Sequence, residues 1–287
     1  MPWPFINAST VGHKKLYHYQ RFNPEHLADL ILRKRIHCAQ PGKLNDPWDC
    51  RPWFNTSQLL DNPTLLQDYL DAAYNNLTVH VPEGIKRLHD QKMHADPEAF
   101  RDELAGLSRS VQAEIARRRI YCLTPIPDNI LMWSHYADNH RGISLEFDAT
   151  VQLFWTALQV QYTKEYPAIP PYNLNPDHVA NAILTKSDVW QYEQEFRIMG
   201  VPSRKTGAAI ELDGDYLPID TALIGVILGC EADAKAIRRF FMGHAPHMPL
   251  YQAERANDEY RLQIVPLRSE NTEQDKPRQK RRAARTS

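Results

Sequence analysis

The sequence predicts an α+β protein built on antiparallel sheets, with a helical insertion. Three observations carry this. Strand-like segments are interspersed with helices of uneven length, without the regular alternation of a doubly wound parallel sheet. Residues 142–148 alternate cleanly, with Ile143, Leu145 and Phe147 expected to face inward and Ser144, Glu146 and Asp148 outward. No glycine-rich phosphate loop of the Walker or dinucleotide type is present.

The elements follow in order. Lys15-Leu16-Tyr17-His18-Tyr19 reads as a short strand. Asn23-Pro24-Glu25 is a helix start, with a capping Asn, Pro at the first helical position and then an acid. Residues 36–39 suit the next strand, and residues 41–47, with Gly42 and Asn45-Asp46, suit a loop. Asn62-Pro63 opens a second helix with Leu66, Tyr69, Leu70, Ala73 and Leu77 at helical spacing, and Asp96-Pro97 opens a third. Residues 57–118 therefore read as a helical insertion, a lid or a cap. Residues 120–123 return to strand, and residues 128–139 suit a short helix or turn. Residues 160–162 suit a strand, and the four prolines of 167–176 demand loop. A helix fits 176–186. Trp190-Gln191-Tyr192-Glu193-Gln194-Glu195-Phe196-Arg197 reads as a strand, 224–229 as a buried strand, 231–241 as a helix and 260–265 as a late strand.

With 287 residues, 43% hydrophobic and 24% charged, the chain has an ordinary globular composition and can bury a sizeable core. No apolar run approaches the ~18 residues of a membrane helix. No basic region followed by an apolar block opens the chain, so no signal peptide is expected. The four cysteines form no Cys-x-x-Cys pair, which points to free thiols in a reducing cytoplasm. Cys50, Cys122, His135 and His140 match no common zinc spacing. Residues 1–267 are expected to form one domain. Residues 268–287 carry seven basic and three acidic residues and no large apolar one. That composition suits a disordered tail, able at most to hold nucleic-acid phosphates weakly.

The pair Glu193 and Glu195 is the main chemical signal. On a strand the two would share one face, and adjacent carboxylates repel. A solvated face carrying Glu193, Glu195 and Arg197 explains them equally well if taken alone. His18 between two tyrosines has a similar bland explanation as a packed residue, and Asn45-Asp46-Pro47 as turn chemistry.

Four segments together carry a resemblance. They are Leu16-Tyr17-His18-Tyr19, then Lys43-Leu44-Asn45-Asp46-Pro47-Trp48-Asp49, then Leu131-Met132-Trp133-Ser134-His135-Tyr136 with His140-Arg141-Gly142-Ile143-Ser144-Leu145-Glu146-Phe147, and last Trp190 to Arg197. In this order and spacing the chain resembles a bacterial family, domain of unknown function 2971, over roughly residues 15–230. More distantly, the order of elements resembles the ADP-ribosyltransferases. A strand ending in Tyr17-His18 comes first, then an Asn-containing loop, a middle aromatic and a late Glu-x-Glu. That resemblance implies NAD as substrate and no metal, while the lack of a long apolar run implies no membrane partner. It implies that His18, beside Tyr17, holds a ribose, that Tyr136 or Ser134 seats the nicotinamide, and that Glu195 carries the chemistry while Glu193 orients the acceptor. Asn45 would add an amide contact, and Arg197 and Arg141 would face the pyrophosphate.

Cleaving the nicotinamide–ribose bond develops positive charge on the sugar, which a carboxylate stabilises. The expected function is thus an NAD-consuming transferase or glycohydrolase, a toxin or defence effector with a protein or nucleic-acid acceptor. Two alternatives stand beside it. One is a metal-dependent nucleic-acid-processing enzyme using Asp46, Asp49, Glu193 and Glu195. The other is a non-catalytic sensor docking through residues 57–118.

Overall fold

The computed structural model describes residues 5–54, 61–75, 80–169, 176–202 and 210–268. The basic tail therefore lies outside the described residues, apart from Arg268. The strands, in chain order, are β1 (Lys15–Gln20), β2 (Arg35–His37), β3 (Trp53–Phe54), β4 (Arg119–Leu123), β5 (Ile143–Asp148), β6 (Leu158–Gln159), β7 (Gln161–Thr163), β8 (Ala168–Ile169), β9 (Thr185–Ser187), β10 (Phe196–Pro202), β11 (Ile210–Leu212), β12 (Tyr216–Pro218), β13 (Leu223–Leu228), β14 (Leu250–Arg255) and β15 (Leu262–Pro266). The architecture is α+β, and antiparallel pairing dominates its two larger sheets.

The first sheet has the order β1-β5-β13-β14-β15, antiparallel except for the β13–β14 pair. The second has the order β11-β10-β4, with β6 also paired to β10. Between them lies the main core, including Leu16, Leu145, Phe147, Phe154, Tyr121, Phe196 and Ile198. A second cluster, with Tyr17, Tyr19, Trp133 and Ile227, covers the other face of the first sheet. This second layer corrects the expected alternation of β5. Ser144 and Glu146 do point away from Leu145 and Phe147, yet both are buried. Glu146 is neutralised by Lys15 at 2.6 Å.

The capping signals held where they could be read. Asn23 accepts from the amides of Glu25 and His26 at the start of helix Pro24–Arg33. Asn62 accepts from Thr64 and Leu65 at the start of helix Pro63–Asn75. The expected insertion contains this helix, Glu83–Ala95 and Pro97–Ala116. The middle helix has no counterpart among the elements expected from the sequence; it is mostly charged and polar, and its Ile85 and Leu88 stay exposed. Val111 and Ile115 of the third helix pack with Cys50, Phe54, Ile120 and Ile183 in a third cluster. The insertion thus supports the underside of the sheet, and no lid role follows from its position.

Two further expectations need correction. The helix expected over 176–186 ends at Leu184, and Lys186 lies on β9. The segment from Trp190 to Arg197 is not a strand. Asp188–Glu193 is a 3₁₀ helix, Gln194 is left-handed at φ 45°, and only from Phe196 does the chain become strand β10. Glu193 and Glu195 therefore share no strand face; the turn at Gln194 brings them together instead. Among the described residues no helix is long and apolar enough to cross a membrane.

Candidate active site

The turn that carries the two glutamates is fixed by its neighbours. Thr124 donates its hydroxyl to the Glu193 carbonyl at 2.6 Å. Asn129 donates its amide to the Tyr192 carbonyl at 3.1 Å. The Asn129 carbonyl oxygen also caps helix Ile130–Tyr136 by accepting from Leu131 and Met132. One side chain thus joins the helix that presents Tyr136 to the turn that presents Glu193. The backbone amide of Glu195 donates to the Tyr162 hydroxyl at 2.8 Å. Tyr162 and Lys186 face one another in the parallel β7–β9 pair. On the other side, Asp46 accepts from the Trp48 amide and turns the chain so that Asp49 points inward.

These elements converge on a buried cluster of charge. Arg197 is fully buried and holds Asp49 in a two-pronged pair at 2.9 and 2.6 Å. The same guanidinium holds Glu195 through Nε at 2.7 Å and Nη2 at 2.9 Å. It also donates to the Ile183 carbonyl. Lys186 bridges Glu193 at 2.6 Å and Glu195 at 3.1 Å. Tyr136 donates its hydroxyl to the remaining oxygen of Glu193 at 2.6 Å, and Asn45 donates to the Tyr136 oxygen at 3.1 Å. Three carboxylates face two cations, so one negative charge is in excess.

The two glutamates are not equivalent. Burial alone would raise the pKa of Glu195, but the charges of Arg197 and then Lys186 outweigh it and hold the group at about 2. For Glu193 burial prevails over Lys186, and its pKa is raised. Glu195 is saturated by Arg197, Lys186 and the Cys122 thiol. Glu193 has two partners, Lys186 and Tyr136. Glu193 is therefore the more weakly compensated of the two carboxylates, and the one that burial disfavours as an anion. Burial, followed by the Glu193 charge, pushes the Tyr136 phenol up, so it stays protonated and donating.

A cavity of ≈ 670 Å³ opens beside the cluster, within the ~300–1,000 Å³ of small-molecule sites. Tyr17, His18, Asn45, Tyr136, Glu193, Glu195 and Arg197 all line it. Tyr17 borders it, but its ring belongs to the cluster on the far face of the first sheet. His18 stacks on Tyr121 at 4.3 Å, and its Nδ1 lies 2.8 Å from the Cys122 carbonyl. A carbonyl only accepts, so Nδ1 carries the proton. Burial lowers the pKa of the ring, which leaves a neutral imidazole with Nε2 as an acceptor. Such a group suits a hydroxyl rather than a phosphate.

Ser134 and Arg141, two of the sequence candidates, do not line this cavity. After helix Ile130–Tyr136 the chain runs through three left-handed residues, Asp138, Asn139 and His140. Arg141 is left exposed, bonded to the carbonyl and carboxylate of Asp138. Sequence reasoning also missed three groups. Lys186, the ammonium at the centre of the cluster, was hidden in the expected helix; the signal was a lone Lys following the apolar run Ala182-Ile183-Leu184. Lys43 lines the cavity, and among the described residues no acid pairs with it. Arg35 lines it too, paired with Asp29 at 3.0 Å and lying 3.9 Å over the Tyr216 ring.

The acids considered for a divalent ion are otherwise engaged. Lys186 and Arg197 already bridge Asp49, Glu193 and Glu195. Among the described residues no group of three or more His, Cys, Asp and Glu is arranged to hold a metal, the Cys50, Cys122, His135 and His140 set included.

A family model described as "Protein of unknown function (DUF2971)" matches residues 132–198. That match supports the DUF2971 family. It takes in Tyr136, Lys186, Glu193, Glu195 and Arg197, the greater part of the charged cluster. No curated protein matches the chain, and no solved structure does.

Proposed function

We propose that the protein is an NAD-consuming enzyme of ADP-ribosyltransferase type, acting as a transferase or a glycohydrolase. The observation that carries this reading is the buried carboxylate of Glu193, in a cluster where carboxylates outnumber cations, at the wall of a cavity large enough for a nucleotide. Breaking the bond between nicotinamide and ribose builds positive charge on the sugar. A preorganised anion in a site of low polarity stabilises that charge strongly. The geometry favours Glu193 in this role. Glu195 then serves as the anchor that fixes Lys186 and Arg197, the reverse of the division implied by the family resemblance.

The other groups take matching parts. His18 Nε2 accepts from a ribose hydroxyl. Tyr136, held by Glu193 and Asn45, borders the carboxylate and offers a flat ring to the nicotinamide. Arg197 is neutralised by Asp49 and Glu195, Arg35 is held by Asp29 and Arg141 lies elsewhere, so the pyrophosphate contact passes to Lys43. When the bond breaks, its electron pair leaves with nicotinamide; water or an acceptor supplies the new bond to the sugar, and its proton goes to Glu193. The test is incubation of the protein with NAD and mass spectrometry of the products. Free nicotinamide with ADP-ribose, or an ADP-ribosylated acceptor, is expected. Unchanged NAD under conditions in which it binds would reject the reading.

A further inference from the structure

A second cavity of ≈ 470 Å³ lies behind the charged cluster and shares a wall with the first. Asn45, Asp49 and Lys186 border both. Its lining is aromatic: Trp48, Tyr166 and Trp190 contribute rings. Trp48 is 65% exposed, although a large apolar ring without a partner ordinarily packs away from water. Lys186 Nζ sits 5.1 Å from the centre of the Trp190 ring, so the residue that bridges Glu193 and Glu195 also touches this second space.

We propose that the second cavity binds a nucleobase. Flat aromatic faces stack with any base. The Ser187 hydroxyl can meet a base edge, the Thr163 hydroxyl, which accepts from the Glu165 amide, can still donate, and the Thr185 hydroxyl, which donates to the Asn181 carbonyl, can still accept. The charged lining is Asp46, Asp49 and Glu165 against Lys164 and Lys186, with no excess of cations to clamp a phosphate. Recognition therefore falls on the ring. A free nucleoside and an unpaired base in single-stranded nucleic acid present the same chemistry. The inference rests on the function proposed above for its meaning, since a base here would lie across the Lys186 wall from the NAD site and would anchor a partner whose reacting atom enters the first cavity.

The test is calorimetric titration of the full chain, without NAD, with adenosine, guanosine, cytidine and uridine, and with short single-stranded oligonucleotides of mixed sequence. Saturable binding by at least one of these is expected. Trp48→Ala should weaken it roughly tenfold, while circular dichroism shows the variant folded, since Trp48 is largely exposed. A nucleoside that binds as well as the oligonucleotide identifies a small-molecule partner; binding by the oligonucleotide alone identifies a strand. No saturable binding, or binding that Trp48→Ala leaves unchanged, overturns the proposal. Displacement of the base by NAD assigns it to the first cavity and also overturns it. These titrations measure no NAD turnover, so their failure is separate from failure of the catalytic reading.

Discussion

At the scale of single residues, the site turns on how five buried charges divide their partners. Arg197 holds both Asp49 and Glu195, so removing it leaves Asp49, Glu193 and Glu195 with Lys186 alone, whereas removing Glu195 leaves two carboxylates facing two cations. Arg197→Met should therefore destabilise the fold by about 3–5 kcal/mol, read as a shift of the urea unfolding midpoint with an unchanged slope. A loss below about 1 kcal/mol would show that Arg197 and Glu195 are not the tight pair described. His18 makes a different prediction. His18→Phe keeps a ring against Tyr121 but removes the Nε2 acceptor, so NAD binding should weaken about tenfold, measured by calorimetry. Equal affinity would remove His18 from the ribose contact. The sequence exposed His18, Glu193, Glu195, Tyr136 and Arg197 because their residue types are chemically suggestive. Lys186 escaped because a single Lys carries no such pattern, and its meaning comes only from the acids that other elements place around it.

At the scale of elements, the decisive feature is the turn at Gln194. A continuous strand would have put Glu193 and Glu195 on one face by simple alternation. The 3₁₀ helix followed by a left-handed residue achieves their approach by another route, and no periodicity in the sequence announces it. Gln194 is exposed, so its conformation can be tested without disturbing the core. Gln194→Val, with a β-branched side chain at φ 45°, should cost about 1–2 kcal/mol, whereas Gln194→Gly should be close to neutral. Equal stability of the two variants in chemical denaturation would mean that the turn is not held in this conformation. The regular parts of the fold were easier to read. Helices Pro24–Arg33 and Pro63–Asn75 were legible from Asn-Pro caps, and β13 from its unbroken apolar run. Helix Glu83–Ala95 was not, because Ile85, Leu88 and Met93 are thinly spread among charged and polar residues and carry no cap signal beside them. Alternation places Ser144 and Glu146 on the face opposite Leu145 and Phe147, as found, but says nothing of the second layer that buries that face.

At the scale of the whole molecule, the charged cluster ties the second sheet, the 41–54 loop region, β9 and the insertion's third helix together through Asp49, Lys186, Arg197 and Ile183. Its response to acid has a definite sign. Glu195 is held at about 2 in the folded protein, below the ~4.3 of an unfolded Glu. Its contribution to stability is therefore present above pH ~4.3 and is lost as pH falls towards 2. Glu193, whose pKa is raised, acts oppositely: its ionisation lowers stability as pH rises. The net expectation is steep unfolding between pH ~4.3 and 2, followed by circular dichroism, and flattened in Arg197→Met with Glu195→Leu, which removes the pair. An identical acid transition in that double variant would contradict the assignment. Catalysis should follow Glu193 instead: turnover requires its carboxylate and should fall with acidity below a pKa displaced above the usual glutamate range.

The most direct test is the rate of nicotinamide release from NAD by the wild-type protein and by Glu193→Gln, with thermal unfolding of both recorded alongside. The variant keeps the shape of the side chain and its place beside Lys186 and Tyr136 but removes the negative charge. Release by the wild type and a loss of about 10²–10³-fold in the folded variant are predicted. A variant as fast as the wild type, or a wild type that binds NAD and leaves it intact, would contradict the account.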